Sequence, residues 1–162
     1  MTDPRLGEGL LAAVRKLPAY SGVIFRHYGL PPDERRDLFQ KIRRICRRRG
    51  HILLVAGDIC VGGDGVHGRI AMRHAGVHSA PVHNLAEICE ARRLGAQLMF
   101  LSPLYATRSH PGARPLGLMR FRALAKMAAP AKVIALGGMT GNRARMLTPH
   151  IACGWAAIDA FT

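Results

Sequence analysis

Seven short apolar runs recur along the chain: 22–26 (GVIFR), 51–56 (HILLVA), 65–67 (GVH), 80–83 (APVH), 98–102 (LMFLS), 132–136 (KVIAL) and 155–158 (WAAI). None alternates cleanly between apolar and polar residues, which is the pattern of strands covered on both faces. Helix-like segments stand between most of them, at 6–17, 33–49, 84–94, 117–127 and 142–147. The third opens on a capping box, Asn84 with Glu87, and stops at Gly95. Regular alternation of this kind is satisfied by a parallel sheet with right-handed crossovers and helices outside it. Seven such strands point to a (β/α) barrel rather than a doubly wound sheet, and no GxGxxG follows the first strand. A complete barrel needs at least about 200 residues, whereas this chain has 162. No strand precedes the first helix, and the chain stops directly after the last strand. The expected fold is one α/β domain over 1–162, a TIM-type (β/α) barrel lacking most of its first strand and its last helix. The open edges are expected either to pair with a second copy or to drive aggregation.

Charge narrows the partners. The 24 Lys and Arg exceed the 10 Asp and Glu by 14, a balance that would suit a polyanion. The densest stretch, ERRDLFQKIRRICRRRG at 34–50, nevertheless reads as an amphipathic helix. Leu38, Phe39, Ile42, Ile45 and Cys46 make its apolar stripe, and Arg35, Arg36, Arg43, Arg44, Arg47 and Arg48 its other face. Only four of the basic residues are lysines, so the helix reads as a solvated outer face of an arginine-biased chain. A basic nucleic-acid-associated protein is the rival reading, without aromatic interleaving or a helix-turn-helix pattern behind it. Four scattered cysteines with no CxxC pair argue against zinc and against a disulfide framework. No apolar run approaches the roughly 18 residues of a membrane span, and the N-terminus does not read as a secretion signal. No membrane partner and a cytoplasmic location are therefore expected.

Barrel chemistry gathers at the C-terminal ends of the strands. Those ends read Thr2-Asp3, Arg26, Asp58, GVHG at 65–68, VHN at 82–84, SPLYATRSHPG at 102–112, ALGGMT at 135–140 and AAIDAF at 156–161. The Gly137-Gly138 pair, between a strand and a helix start, offers N–H groups that no Cβ shields, a common way to hold phosphate.

This series, in this order, resembles the thiamine phosphate synthase superfamily, which includes the thiazole tautomerases. The resemblance implies that the phosphate of a thiazole phosphate sits on Gly137 and Gly138, helped by the backbone around Asp159 and Ala160. It implies charge-stabilising roles for Arg26 and Arg108, substrate contacts from Thr107, Ser109 and His110, and a Mg²⁺ carboxylate in Asp58. It also implies a first strand just upstream of Thr2-Asp3, and hence a longer natural chain. Several positions depart from the synthase pattern. Its Gln-x-Arg-x-Lys reads Ile24-Phe25-Arg26-His27-Tyr28 here, Gly57-Asp58 keeps one acid of an Asn-Asp, and Gly68-Arg69 follows GVH where the family carries another magnesium carboxylate. The pyrimidine-diphosphate and Mg²⁺ site is thus expected to be degenerate. His83 matches the tautomerase histidine that moves protons on the thiazole ring, a task suited to imidazole. His67 reads as structural, and His27 as a residue of the mouth. Coupling, tautomerisation and simple binding all remain open at this stage.

Overall fold

The computed structural model describes residues 1–57, 62–70, 76–107, 112–147 and 149–158. Each apolar run forms a strand: β1 (Gly22–Phe25), β2 (Ile52–Ala56), β3 (Gly65–His67), β4 (Val77–Val82), β5 (Leu98–Leu101), β6 (Lys132–Ala135) and β7 (Gly154–Trp155). The helices are α1 (Leu10–Lys16), α2 (Pro32–Arg49), α3 (Leu85–Arg93), α4 (Gly117–Met127) and α5 (Gly141–Ala144). A 3₁₀ segment, Pro4–Gly9, precedes α1 where one continuous helix was expected, because Gly7 breaks it at φ 47°.

Every strand pairs in parallel with the next, in the order β1 to β7. Sequential order with helical returns curls the sheet in one direction and puts the helices outside. Alternate side chains therefore enter different layers. Val23, Phe25, Leu53 and Val55 meet Leu10, Phe39 and Ile42 of α1 and α2, while Ile24, Leu54 and Ala56 point inward to Phe100. Both layers are apolar, which is why the strands show no alternation in sequence. Each buried side chain of this size contributes about 1.5–3 kcal/mol. A third cluster joins β4, β5 and β6 to α3 and α4 through Ile88, Met99, Leu101 and Phe121.

One residue expected on the solvated face of α2 turns inward. Arg35 is buried, its Nε donating to His27 O at 3.0 Å and its Nη2 to Ala56 O at 2.7 Å, with the guanidinium over the Phe25 ring. It fastens the ends of β1 and β2 to the helix that lies between them.

One dipeptide bridges the two open edges of the sheet. Thr2 N donates to Ile24 O at 2.8 Å and the Met1 amino group to Ala157 O at 3.2 Å, so one dipeptide touches β1 and the segment after β7. Beneath it lies a mostly apolar cavity of about 250 Å³, lined by Leu6, Leu10, Val14, Val23 and Trp155 among others. The fold is an open (β/α) barrel of seven parallel strands. Among the described residues no helix is long and apolar enough to cross a membrane.

Candidate functional site

A cavity of about 590 Å³ opens at the C-terminal ends of the strands. Of the residues singled out in the sequence, it brings together Arg26, His83, Thr107, Gly137 and Gly138, with His67 also in its wall. Asp58, Arg108, Ser109, His110, Asp159 and Ala160 lie outside the described residues. His27, expected at the mouth, is instead buried. Its ring stacks on Phe25 at 5.4 Å and its Nδ1 meets Thr2 Oγ1 at 3.1 Å.

On one side of the cavity two loops hold each other through backbone bonds. Leu104 N donates to Leu136 O at 2.9 Å and Tyr105 N to Gly137 O at 3.1 Å, which continues the β5–β6 pairing past the strand ends. The glycine pair is required by this fit as well as by any ligand. Gly137 has φ 93° and Gly138 φ 60°, and an added Cβ would come within 2.6 Å of Pro103 Cα or 2.4 Å of Ala106 O respectively. Beyond the strand, the N–H groups of Gly137, Gly138 and Met139 donate to no acceptor among the described residues, and all three residues line the cavity. Arg143, one turn further on, donates from Nη1 to Gly138 O and lies 4.6 Å from the Tyr105 ring centroid. Arg143 carries no motif in the sequence beyond its place just after the glycines.

The opposite side is built from side chains. Arg26 and Tyr28 follow β1, and His67 ends β3. Ser79 Oγ donates its one proton to Val66 O at 3.2 Å and therefore accepts from His67 Nδ1 at 2.9 Å, which leaves Nε2 of His67 as a bare acceptor. The ring stands edge-on to Phe100 at 5.2 Å. Burial, then the nearby Arg26 charge, lowers the His67 pKa to about 4, so the imidazole is neutral near pH 7.

His83 stands between the two sides, half-exposed. Its Nδ1 and Glu87 Oε2 are 2.8 Å apart, and its backbone N–H donates to the same oxygen at 2.9 Å. Burial raises the Glu87 carboxyl, but the His83 hydrogen bonds and the Arg69 charge outweigh it and hold the group below its usual value. Arg69 Nη2 is 3.2 Å from Glu87 Oε1. An ionised Glu87 fixes the proton on Nδ1 and leaves Nε2 of His83 for chemistry. The sequence identified Glu87 only as a capping residue. It does carry that cap, with its N–H donating to Asn84 Oδ1 at 3.0 Å, but its carboxylate has turned to the histidine.

Magnesium takes hard oxygen ligands and normally one or two carboxylates. The described lining residues bring arginine, histidine and amide groups and no carboxylate, and no metal-ligating group of three occurs among the described residues. Asp58, the magnesium carboxylate expected from the sequence, lies outside the described residues, and the described lining residues alone offer the ion no carboxylate.

Fold and site together define a (β/α)-barrel protein with an anion-complementary mouth at the C-terminal ends of its strands. The chain belongs to the thiamine monophosphate synthase family, whose model matches residues 3–161. This is a transferase-type enzyme family of thiamine biosynthesis. Among curated relatives, the thiamine biosynthesis bifunctional protein ThiM/ThiE of Symbiobacterium thermophilum is 29% identical over 98% of this chain, which spans 35% of that longer protein. The putative thiamine-phosphate synthase 2 of Aquifex aeolicus is 28% identical, over 97% of this chain and 92% of its own length. The solved thiamine phosphate pyrophosphorylase from Pyrococcus furiosus shares the fold, with a TM-score of 0.80 and 22% identity over 97% of this chain and 82% of that one.

Proposed function

We propose that the mouth binds a thiazole phosphate, with the phosphate on the loop of Gly137, Gly138 and Met139 and the ring toward His83. The observation that carries this reading is the run of three consecutive N–H groups without a protein acceptor among the described residues, beside Arg143 and across the cavity from Arg26. Bare amides and guanidinium groups suit a phosphate monoester, which needs no metal to be held. On this reading the protein is thiamine phosphate synthase-like. Its coupling step would need a pyrimidine diphosphate to leave its pyrophosphate against Arg26 and Arg108, although the family's lysine is Tyr28 here and Gly68-Arg69 follows GVH without the second carboxylate.

The His83–Glu87 pair favours a second reading, thiazole tautomerisation. Nε2 of His83 would take a proton from one carbon of the non-aromatic ring system and return it at another. The atoms stay the same and the double bonds shift to the aromatic isomer. Glu87 would keep Nδ1 protonated throughout and offset the charge of the imidazolium. Positioned acid–base catalysis of this kind is worth about 10²–10⁴ in rate.

Calorimetry with thiazole phosphate and with the unphosphorylated thiazole alcohol tests the first reading. Binding of the phosphate at least tenfold tighter is expected, and equal affinities would end it. Coupling with pyrimidine diphosphate and tautomer conversion followed by NMR then separate the two activities. Glu87→Gln is expected to slow conversion without weakening thiazole phosphate binding.

A further inference from the structure

The arginine-rich helix is the prominent motif that the mouth does not use. We propose that the face of the barrel opposite the mouth, beside α1 and α2, is a docking surface for single-stranded nucleic acid, with Tyr20 as its stacking platform. The strands run toward the mouth and the helices return from it, so the last turns of the helices gather at the far face. α1 ends on Arg15 and Lys16, and α2 on Arg47, Arg48 and Arg49, all exposed. Arg49 Nη2 donates to Leu17 O at 2.9 Å, and Tyr20 N donates to Arg49 O at 3.3 Å, which joins both helix ends and the intervening loop into one surface. Asp64 stands at the same end, but its carboxylate accepts Leu53 N–H at 2.8 Å and is tied to the sheet.

Compensation of the helix dipole accounts for a cation or two at a helix end. It does not account for a run in which Arg43 and Arg47, and Arg44 and Arg48, are like charges one turn apart, an arrangement that destabilises the helix. Arginine's planar fork matches a phosphodiester better than an ammonium does. Tyr20 is an independent observation. It sits at φ 61°, strained for a bulky residue, and yet its side chain is 85% exposed. Its ring lies against Gly50, where an added Cβ would come within 2.8 Å of it. Contact with Gly50 alone leaves most of the ring open beside Arg49, an arrangement that core packing does not require and that base stacking beside phosphate neutralisation uses. The apolar faces of α1 and α2 are buried in the core, so this end offers no apolar row for a lipid surface.

Fluorescence anisotropy with a labelled oligouridylate of about 20 nucleotides, across 50–300 mM KCl, tests the surface on the full chain. Neutralising four or five phosphates gives a log–log salt slope of about −3, at roughly −0.7 per phosphate. Arg47→Gln with Arg48→Gln should shallow that slope by about 1.4, while Arg120→Gln with Arg122→Gln, an equal charge loss on the first half of α4, should leave it unchanged. Tyr20→Gly relieves the strained φ, so the melting temperature should hold or rise while affinity falls at least about fivefold. No binding at 50 mM KCl overturns the proposal, as do equal losses from the two double variants or an affinity indifferent to Tyr20→Gly. Tighter binding to phosphatidylserine vesicles than to the oligonucleotide overturns it in favour of a membrane surface.

Discussion

The β5–β6 side of the mouth and its β1–β3 side are built from different materials. On the first, two loops extend the sheet by backbone hydrogen bonds, and the Gly137–Met139 amides lie beside the Arg143 side chain in the cavity wall. On the second, Arg26, Tyr28 and His67 present side chains, each replaceable without disturbing a backbone ladder. On the reading proposed above, the backbone half would hold the anion and the side-chain half would select among ligands. The departures from the synthase pattern at Tyr28 and Gly68-Arg69 fall among these side-chain positions.

The contrast is easiest to break at Gly138. With φ 60° and Ala106 O within 2.4 Å of an added Cβ, Gly138→Ala should cost about 3 kcal/mol or more, read by urea denaturation. A variant as stable as the parent would mean that the two loops do not hold each other. Such a change tests the scaffold and the phosphate together, so Arg143→Ala is the cleaner probe of the ligand.

On the β1–β3 side the largest effect expected is in pH. His67 has its pKa lowered from 6.5 to about 4, so the unfolded chain takes up a proton before the folded one does. Its contribution is fully present above pH 6.5 and is lost as pH falls toward 4, by about 3 kcal/mol in total. Denaturation at pH 7 and pH 4.5 should show that loss in the parent and much less of it in His67→Phe.

Smaller effects sharpen the comparison. Arg143→Ala should weaken thiazole phosphate about tenfold, since a hydrogen bond to a charged group is worth about 1.5–3 kcal/mol, while the midpoint of unfolding moves little. Tyr28→Lys, at an exposed position, should strengthen inorganic pyrophosphate by roughly twofold to fivefold, the worth of one added surface charge, and leave thiazole phosphate unchanged. If Tyr28→Lys altered both ligands equally, the two sides would not act separately.

The sequence made the layered barrel legible because every strand is apolar on both faces. β4 shows where it was not. The strand begins at Val77 rather than at residue 80, since His78 and Ser79 look like loop residues and are buried. His78 N donates to Gln97 Oε1 and Ser79 accepts from His67, contacts that no local pattern announces. The glycine pair was visible, but its packing on Pro103 and Ala106 was not, because the partner loop lies some thirty residues away in the chain. Glu87 was read through its own helix, and its second task depends on how His83 leaves β4.

The dipeptide at the seam has a consequence for motion. On their open sides β1 has one backbone bond from Thr2 N and the segment after β7 one from the Met1 amino group, whereas β4 and β5 are paired along both sides. Amide protons should therefore exchange slowest in β4 and β5 and fastest along β1 and β7, with protection falling off toward the seam from both directions. Arg26 follows one of those quick strands while Gly137 and Gly138 follow β6, next to the slow centre. Breathing at the seam would widen and narrow the mouth from its side-chain half alone, with the Gly137–Met139 loop as the fixed jaw.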